Sequence, residues 1–182
     1  MSILYGKIMQ ESRRRRVLPP TGRKSKIAVD RMEGRCMERN RYYEEIDVGE
    51  EGVSQARTIT EADVVNYAGV SGDFHPYHTN EEFASKSDFG GRIAHGLLVL
   101  SIAAALEAPE NEHAFLYGFE SMRFVKPTML GDTIHVKSEV TDKSERSEEY
   151  GIVTTKIDVK NQREETVLAC ERQLMIERKS ET

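Results

Sequence analysis

Apolar residues recur at every second position in four segments of the second half of the chain. These segments are 115–125, 134–140, 150–159 and 168–176, and short polar stretches separate them. A period of two is typical of β-strands that bury one face, because successive side chains point to opposite sides of a sheet. The pattern therefore predicts four long antiparallel strands joined by short turns.

The longest apolar run extends from Leu97 to Leu106 without a charged residue. It has about half the length of a membrane span, so it predicts a buried helix, placed over 93–107 and closed by Pro109. Because this helix is apolar on all sides, we expect it to be buried on most of its surface. One such helix followed by four antiparallel strands predicts an α+β fold with the sheet wrapped around the helix.

Shorter elements are predicted ahead of that helix, separated by glycines. They are a strand or short helix over 41–48, a strand over 53–59, a loop over 71–78 and a short helix over 81–85. Thr60 and Asp63 have the spacing of a capping box, which predicts a helix that begins there and ends near Gly69. Thr79 or Asn80 is expected to cap the helix over 81–85.

Composition indicates the broad class of protein. Charged residues make up 31% and hydrophobic residues 38% of the 182 residues, as in ordinary soluble domains. The two cysteines, Cys36 and Cys170, form no disulfide or zinc-ligand pattern, which favours a reducing compartment. With no long apolar segment after the first arginines, we expect a cytoplasmic protein without a secretory signal or a membrane partner.

Charge is distributed unevenly along the chain. Residues 1–36 contain ten Lys and Arg against three Asp and Glu, a net charge of +7, which leaves −12 for the remainder. We therefore predict a basic N-terminal extension over 1–37, disordered or loosely docked, ahead of one domain over 38–182. The acidic domain disfavours nucleic acid as a partner, so any binding of a polyanion would involve the extension alone. The alternative for the extension is an arm that contacts a partner subunit or an anionic ligand.

Candidate chemistry lies between residues 72 and 96. Asp73 and His78 are five residues apart in the predicted loop, and a carboxylate with an imidazole can supply an acid and a base. Gly96 lies in the first turn of the long helix, where backbone N–H groups are free and the helix dipole favours an oxyanion. The alternatives are structural: a turn-forming Asp, a His without a chemical role, and a Gly that permits close packing.

Other histidines suggest different roles. His95 precedes Gly96, and we expect its ring to fix the loop rather than to catalyse, while His113 and His135 are predicted to lie at the surface. His75, His78 and Asp73 also have the residue types of metal ligands. Zinc sites normally use three or four ligands. We predict neither a metal nor another cofactor.

Three stretches of the chain resemble a known family in order and spacing: SGDFHPYHTNEEFA, IAHGLLVLS and RFVKPTMLGDTI. They are similar to the MaoC-like group of (R)-specific enoyl-CoA hydratases, and the similarity runs from about residue 42 to 176. The family signature is close to G-D-x-N-P-[aliphatic]-H, and this chain has GDFHPYH at 72–78. His75 thus replaces an Asn, Tyr77 replaces an aliphatic residue, and a family serine falls on Ala104.

The resemblance implies the hotdog fold and a hydratase that adds water to a 2-enoyl-CoA or removes it from an (R)-3-hydroxyacyl-CoA. By the same resemblance, Asp73 and His78 jointly activate water and deliver a proton. Adding water to such a thioester also requires stabilisation of negative charge on the thioester oxygen. The backbone N–H of Gly96 suits this role.

The resemblance also implies a homodimer or a dimer of dimers, with substrates carried on CoA or on a carrier protein. Because CoA has several phosphates, we expect local cations among Arg123, Lys126 and Arg92 to contact them. Two other functions share the fold and the ligand: an acyl-CoA thioesterase and a non-catalytic acyl-CoA-binding module.

Overall fold

The computed structural model describes residues 40–107 and 111–179. The predicted N-terminal extension and the predicted closure of the long helix at Pro109 lie outside the described residues. In the part of the chain that is described, no helix is both long enough and apolar enough to span a membrane.

The described strands form one antiparallel sheet. They are β1 (Glu51–Val53), β2 (Arg57–Thr58), β3 (Ala114–Phe124), β4 (Thr133–Glu145), β5 (Tyr150–Lys160) and β6 (Thr166–Glu177). The order across the sheet is β1-β4-β5-β6-β3, and β2 pairs with the start of β4. The four long strands predicted from the period of two are therefore confirmed.

The helices precede β3. They are α1 (Glu61–Ser71), α2 (Pro76–Thr79), α3 (Glu81–Ala84) and α4 (Gly96–Glu107). Val99 and Ile102 of α4 belong to one hydrophobic core with Val136, Ile157 and Leu168 of the three central strands. This packing confirms that the long helix lies against the sheet, and burial of its apolar side chains stabilises the two layers against each other.

Local capping sets the limits of α1. The Thr60 side chain accepts from the N–H of Asp63, and the Asp63 carboxylate accepts from the N–H of Thr60, so the capping box is confirmed. The helix continues past Gly69 to Ser71 because Gly72, with φ of 76°, is the residue that adopts the left-handed C-cap conformation. Gly72 thereby directs the chain out of α1 and into the segment that carries Asp73.

The long helix differs from its prediction in two respects. It begins at Gly96, not at residue 93, because Ile93 bridges to Met129 and the N–H of Ala94 donates to the carbonyl of Thr128. Most of its surface is buried or half-buried, as predicted, but one stripe is not, since Leu97 is 52% exposed and Ser101, one turn later, is exposed as well. Among the described residues, this stripe of α4 therefore has nothing packed over it.

Two of the four short predictions are corrected as well, and two are confirmed. The loop predicted over 71–78 contains the end of α1 and most of α2, because Pro76 at the first position of α2 suits a helix start. The strand predicted over 53–59 is divided into β1 and β2. The short helix that was one alternative for 41–48 is confirmed as a 3₁₀-helix at Tyr43–Glu45. The helix over 81–85 is confirmed with Asn80 as its cap, and it ends one residue earlier, at Ala84.

Candidate active site

A cavity of about 690 Å³ opens at the N-terminal end of α4. Its polar side chains include Asp73, His78, His95 and Lys126. The remaining lining is mainly apolar and includes Phe89, Leu97, Val99, Phe124, Val125 and Val167. A polar end joined to an apolar wall suits a ligand that has a reactive polar group and a hydrocarbon tail.

His78 lies on α2 with its two ring nitrogens in different environments. Nδ1 is 2.8 Å from the carbonyl oxygen of Ile93, so Nδ1 carries the hydrogen that it donates to this carbonyl. In the neutral ring, Nε2 then has a free lone pair. Nε2 is 4.0 Å from Oδ2 of Asp73, which places a base and a carboxylate on the same side of the cavity.

Backbone contacts hold Asp73. Its N–H donates to Oγ of Ser71 at 3.2 Å, and its Oδ1 accepts from the N–H of His75 at 3.1 Å. The side chain is 52% exposed, and Oδ2 is the oxygen that lies toward His78. The carboxylate is therefore oriented by its own loop while one oxygen remains available to a ligand.

His95 is buried beneath His78. It is 3% exposed, its Nε2 donates to the backbone carbonyl of Asp73 at 2.9 Å, and its ring stacks on that of His78 with 3.8 Å between ring centroids. The ring of Tyr67 also contacts His95, with 5.0 Å between the two ring centroids. The prediction that the His95 ring fixes the loop is confirmed, because one side chain contacts both Asp73 and His78.

The environment of His78 favours the neutral imidazole. Burial lowers the pKa of His78 below its ordinary value, and the nearby imidazoles of His95 and His75 act in the same direction. The carbonyl of Ile93 and the carboxylate of Asp73 oppose that change without reversing it. His78 is therefore a neutral base near pH 7, with the lone pair on Nε2.

Gly96 is the first residue of α4, where the backbone N–H has no acceptor within the helix. A Cβ at this position would come within 2.7 Å of the ring of Phe124. The glycine thus brings the backbone close to the wall of the cavity, which agrees with the packing interpretation. It also leaves the N–H at the cavity, as the oxyanion interpretation requires.

Asp73, His78 and His95 could be considered as metal ligands, since one donor atom of each lies within 4.8 Å of the others. The two imidazole rings are stacked with only 29° between their planes. The lone pairs of such rings lie in nearly parallel, separate planes, so they do not converge on one ion at a metal–nitrogen distance of about 2 Å. The stack is therefore poorly shaped for a metal ion.

The three predicted cations have different environments. Lys126 lines the cavity and donates to Glu165 at 2.6 Å. Arg92 donates to Glu61 at 2.7 Å and to Glu81 at 3.1 Å, so it links α1 to α3. Arg123 donates to the carbonyl of Met122, and neither arginine is among the residues that line the cavity.

The structure thus brings Asp73, His78, Gly96 and Lys126 together and leaves Arg92 and Arg123 apart from them. Sequence reasoning missed Ser71 and Tyr67, which also line the cavity. The helical period was the available signal, because it places Tyr67 one turn before Ser71 on α1. In the structure, the Ser71 hydroxyl donates to the Tyr67 carbonyl.

A helix packed against one antiparallel sheet, with a cavity at the helix N-terminus, defines the class of the protein. A Mycobacterium tuberculosis protein described as a double hotdog fold superposes with a TM-score of 0.71 at 15% identity, over 79% of this chain and 46% of that one. An Archaeoglobus protein named as a monoamine oxidase regulatory protein superposes with a TM-score of 0.74 at 37% identity, over 79% and 98% of the two chains. The fold is the hotdog fold.

Residues 47–161 match the family model described as the MaoC like domain, and the chain belongs to this family. Protein MaoC of Klebsiella aerogenes is 40% identical over 53% of this chain and 30% of its own length. An (R)-specific enoyl-CoA hydratase of Rhodospirillum rubrum is 38% identical over 55% of this chain and 69% of its own length. The matched region is therefore less than a third of the Klebsiella protein.

Proposed function

We propose that this protein is a hydratase that adds water to a 2-enoyl-CoA, or removes it from an (R)-3-hydroxyacyl-CoA. One observation carries the proposal: Oδ2 of Asp73 and Nε2 of His78 lie 4.0 Å apart in a cavity that begins at the N-terminus of α4. The similarity to proteins named (R)-specific enoyl-CoA hydratase supports the same reaction.

The separation of the two groups suits one shared water molecule. A water oxygen about 2.8 Å from each group can bridge atoms that are 4.0 Å apart. In the forward reaction, the hydroxyl of that water bonds to C3 of the enoyl group, and a proton is delivered to C2 as the double bond becomes single. Asp73 and His78 together accept the water proton and supply the C2 proton.

Negative charge moves onto the thioester oxygen during this addition. The free N–H of Gly96 lies at the positive end of α4, where backbone donors and the helix dipole stabilise an oxyanion. The apolar wall, including Val99 and Val167, receives the hydrocarbon tail. Lys126 is the cavity cation for a phosphate of CoA or of a carrier-protein arm.

The test is hydration of crotonyl-CoA, followed through the loss of the absorbance of its conjugated double bond. We expect Asp73→Asn and His78→Ala each to lower kcat by about 10²- to 10⁴-fold, because each removes a proton-transfer group. Asp88→Asn and His135→Ala are matched controls, since both residues lie outside the cavity lining. Both controls should retain the wild-type rate, and chiral analysis of the product should give the (R) isomer.

Full activity of Asp73→Asn or His78→Ala would exclude the assignment. Release of free thiol from a saturated acyl-CoA, without hydration of an enoyl-CoA, would instead identify a thioesterase. Binding of acyl-CoA without any turnover would identify a binding module. The same assay with crotonyl groups on a carrier protein would distinguish the two carriers.

A further inference from the structure

Thr128 brings a buried hydroxyl group to the lining of the cavity. The residue is 5% exposed, and it lines the cavity together with Ala94 and Gly96. Among the residues that the structure describes, the Thr128 hydroxyl has no hydrogen-bond partner. A buried hydroxyl without a partner is costly, because it has lost its hydrogen bonds to water. Such a group in a cavity lining points to a contact with a ligand.

Backbone pairing places Thr128 beside the start of α4. The carbonyl of Thr128 accepts from the N–H of Ala94 at 2.8 Å, and Met129, the next residue, bridges antiparallel to Ile93. Ala94 lies two residues before Gly96, which begins α4 and whose N–H has no acceptor within the helix. Thr128 is therefore held in the part of the cavity wall that adjoins Gly96, by contacts that leave its hydroxyl free.

The segment that carries Thr128 is also fixed from its other side. The N–H of Met129 donates to Oδ2 of Asp132 at 2.9 Å, and Asp132 is itself 4% exposed. Oδ1 of Asp132 accepts from Gln162 at 2.6 Å and from Arg163 at 3.2 Å. The backbone at Thr128 is thus in position before a ligand binds, and a donor that needs no rearrangement stabilises developing charge most effectively.

We propose that Thr128 is a further catalytic residue, whose hydroxyl donates a second hydrogen bond to the thioester oxygen beside the N–H of Gly96. Its effect on turnover rests on the proposed hydratase function. The contact with a thioester oxygen is a property of binding, and it can be measured without turnover.

The other polar side chains of the cavity are less suited to this contact. An ionised Asp73 is an acceptor only, and neutral His78 presents a lone pair at Nε2, so neither donates to an oxygen that gains negative charge. The Tyr67 hydroxyl belongs to α1, the helix that leads to Asp73. Thr128 is instead paired with the residues that lead into α4, where the thioester oxygen is proposed to bind.

Thr128→Val and Thr128→Ser separate the hydroxyl from the shape of the side chain. Valine has nearly the shape of threonine but no donor, so Thr128→Val should lower kcat for hydration of crotonyl-CoA by about 10²-fold. KM should change by less than about threefold, because the bond is strongest when the oxygen carries its full charge. Serine keeps the donor, so Thr128→Ser should stay within about threefold of the wild-type kcat.

Thr155→Val is the matched control, because it makes the same replacement at a buried threonine of β5. Thr155 is 2% exposed and is not among the residues that line the cavity, so this variant should retain the wild-type kcat. Unfolding by denaturant is a second control. Because the Thr128 hydroxyl has no partner in the described chain, Thr128→Val should unfold at a denaturant concentration no lower than that of the wild type.

The infrared spectrum of a bound thioester reports the contact directly. Butyryl-CoA with a ¹³C label at its carbonyl has no double bond to hydrate, so it can be bound to the full-length protein without turnover. A hydrogen bond to a carbonyl oxygen weakens the C=O bond and lowers its stretching frequency. The frequency of bound butyryl-CoA should therefore be lower in the wild type and in Thr128→Ser than in Thr128→Val.

The inference is overturned if Thr128→Val keeps the wild-type kcat, or if Thr128→Ser is as slow as Thr128→Val. Equal carbonyl frequencies in the wild type and Thr128→Val overturn it as well, since the hydroxyl then does not contact the thioester oxygen. A Thr128→Val protein that is clearly less stable than the wild type would show that the hydroxyl serves the fold instead. If no protein hydrates an enoyl-CoA while the difference in frequency is present, the proposed function fails and the contact stands.

Discussion

Gly96 shows how one residue can satisfy a packing requirement and a chemical one. A side chain there would collide with the Phe124 ring, and the same lack of a side chain leaves the helix N–H beside the cavity. His95 likewise acts on two neighbours, since it donates to the Asp73 carbonyl and stacks on His78. At the scale of residues, the site is built from groups whose position matters as much as their type.

Cys170 permits a prediction at the same scale. It is a free thiol on β6, 4% exposed, and burial raises its pKa to about 11. Because the folded-state pKa is raised, the contribution of this thiol to stability is complete below its unfolded pKa of about 8.5 and is lost as the pH rises toward 11. The loss should be about 3 kcal/mol.

Denaturant unfolding between pH 8 and pH 11 measures this loss, with Cys170→Ala as the reference that has no thiol at the site. The wild type should lose more stability than Cys170→Ala over this range. Equal losses in the two proteins would show that the thiol ionises as easily in the folded chain as in the unfolded one.

The residue types of the site were predictable, and their neighbours were not. Asp73 and His78 lie within one short motif, so local sequence is enough to propose them together. Arg92 looked equally available for a phosphate, but it is bonded to Glu61 and Glu81. Glu61 is 31 positions away in sequence, so only the folded chain shows this pairing.

Helix α4 is the element that connects the site to the core, and it is anchored at both ends. At its N-terminal end, Ala94 pairs with Thr128 just before the helix begins. Near its C-terminal end, Glu107 forms an ion pair with Arg172 of β6, and the two side chains are 4% and 3% exposed. A buried pair of this kind holds the helix in one position against the sheet.

Removal of one partner of this pair should be costly. Arg172→Met leaves the Glu107 carboxylate buried without a counter-charge, and we expect a loss of about 3 to 5 kcal/mol in the free energy of unfolding. The double variant Glu107→Leu with Arg172→Met removes both charges and should recover most of that loss. Denaturant unfolding of the two single variants and the double variant completes the mutant cycle.

A small effect of Arg172→Met would show that Glu107 reaches water, and failure of the double variant to recover would show that packing, not charge, determines the cost.

At the scale of elements, the sequence indicated the four strands correctly because each has a clear period of two. It indicated the helix correctly because the apolar run is long and contains no charged residue. The start of α4 was predicted three residues too early because apolar composition does not distinguish extended residues from helical ones.

At the scale of the whole molecule, the described residues leave one edge of the sheet open. Strand β3 is last in the order of the sheet and pairs only with β6 among the described strands. Phe115, Leu116 and Tyr117 on this strand are 48–55% exposed. A long apolar edge strand with unpaired backbone groups is a template for association with another chain.

We expect this edge to pair with a second copy of the chain. Leu116→Lys places a charge on the edge and should shift the protein from a dimer to a species with the mass of one chain in sedimentation experiments. Val48→Lys is the control, because Val48 is also exposed but lies near β1 at the opposite side of the sheet. A wild-type protein that sediments as a monomer at micromolar concentration would contradict the prediction.

The sequence by itself determined the periodic elements, the capping box of α1 and the motif that carries Asp73 and His78, because these depend on residues close together in the chain. The tertiary structure decided what distant residues contribute. It stacked His95 on His78, placed Phe124 against Gly96 and paired Glu107 with Arg172. Such contacts arise only when the sheet closes over the helix, so local patterns cannot determine them.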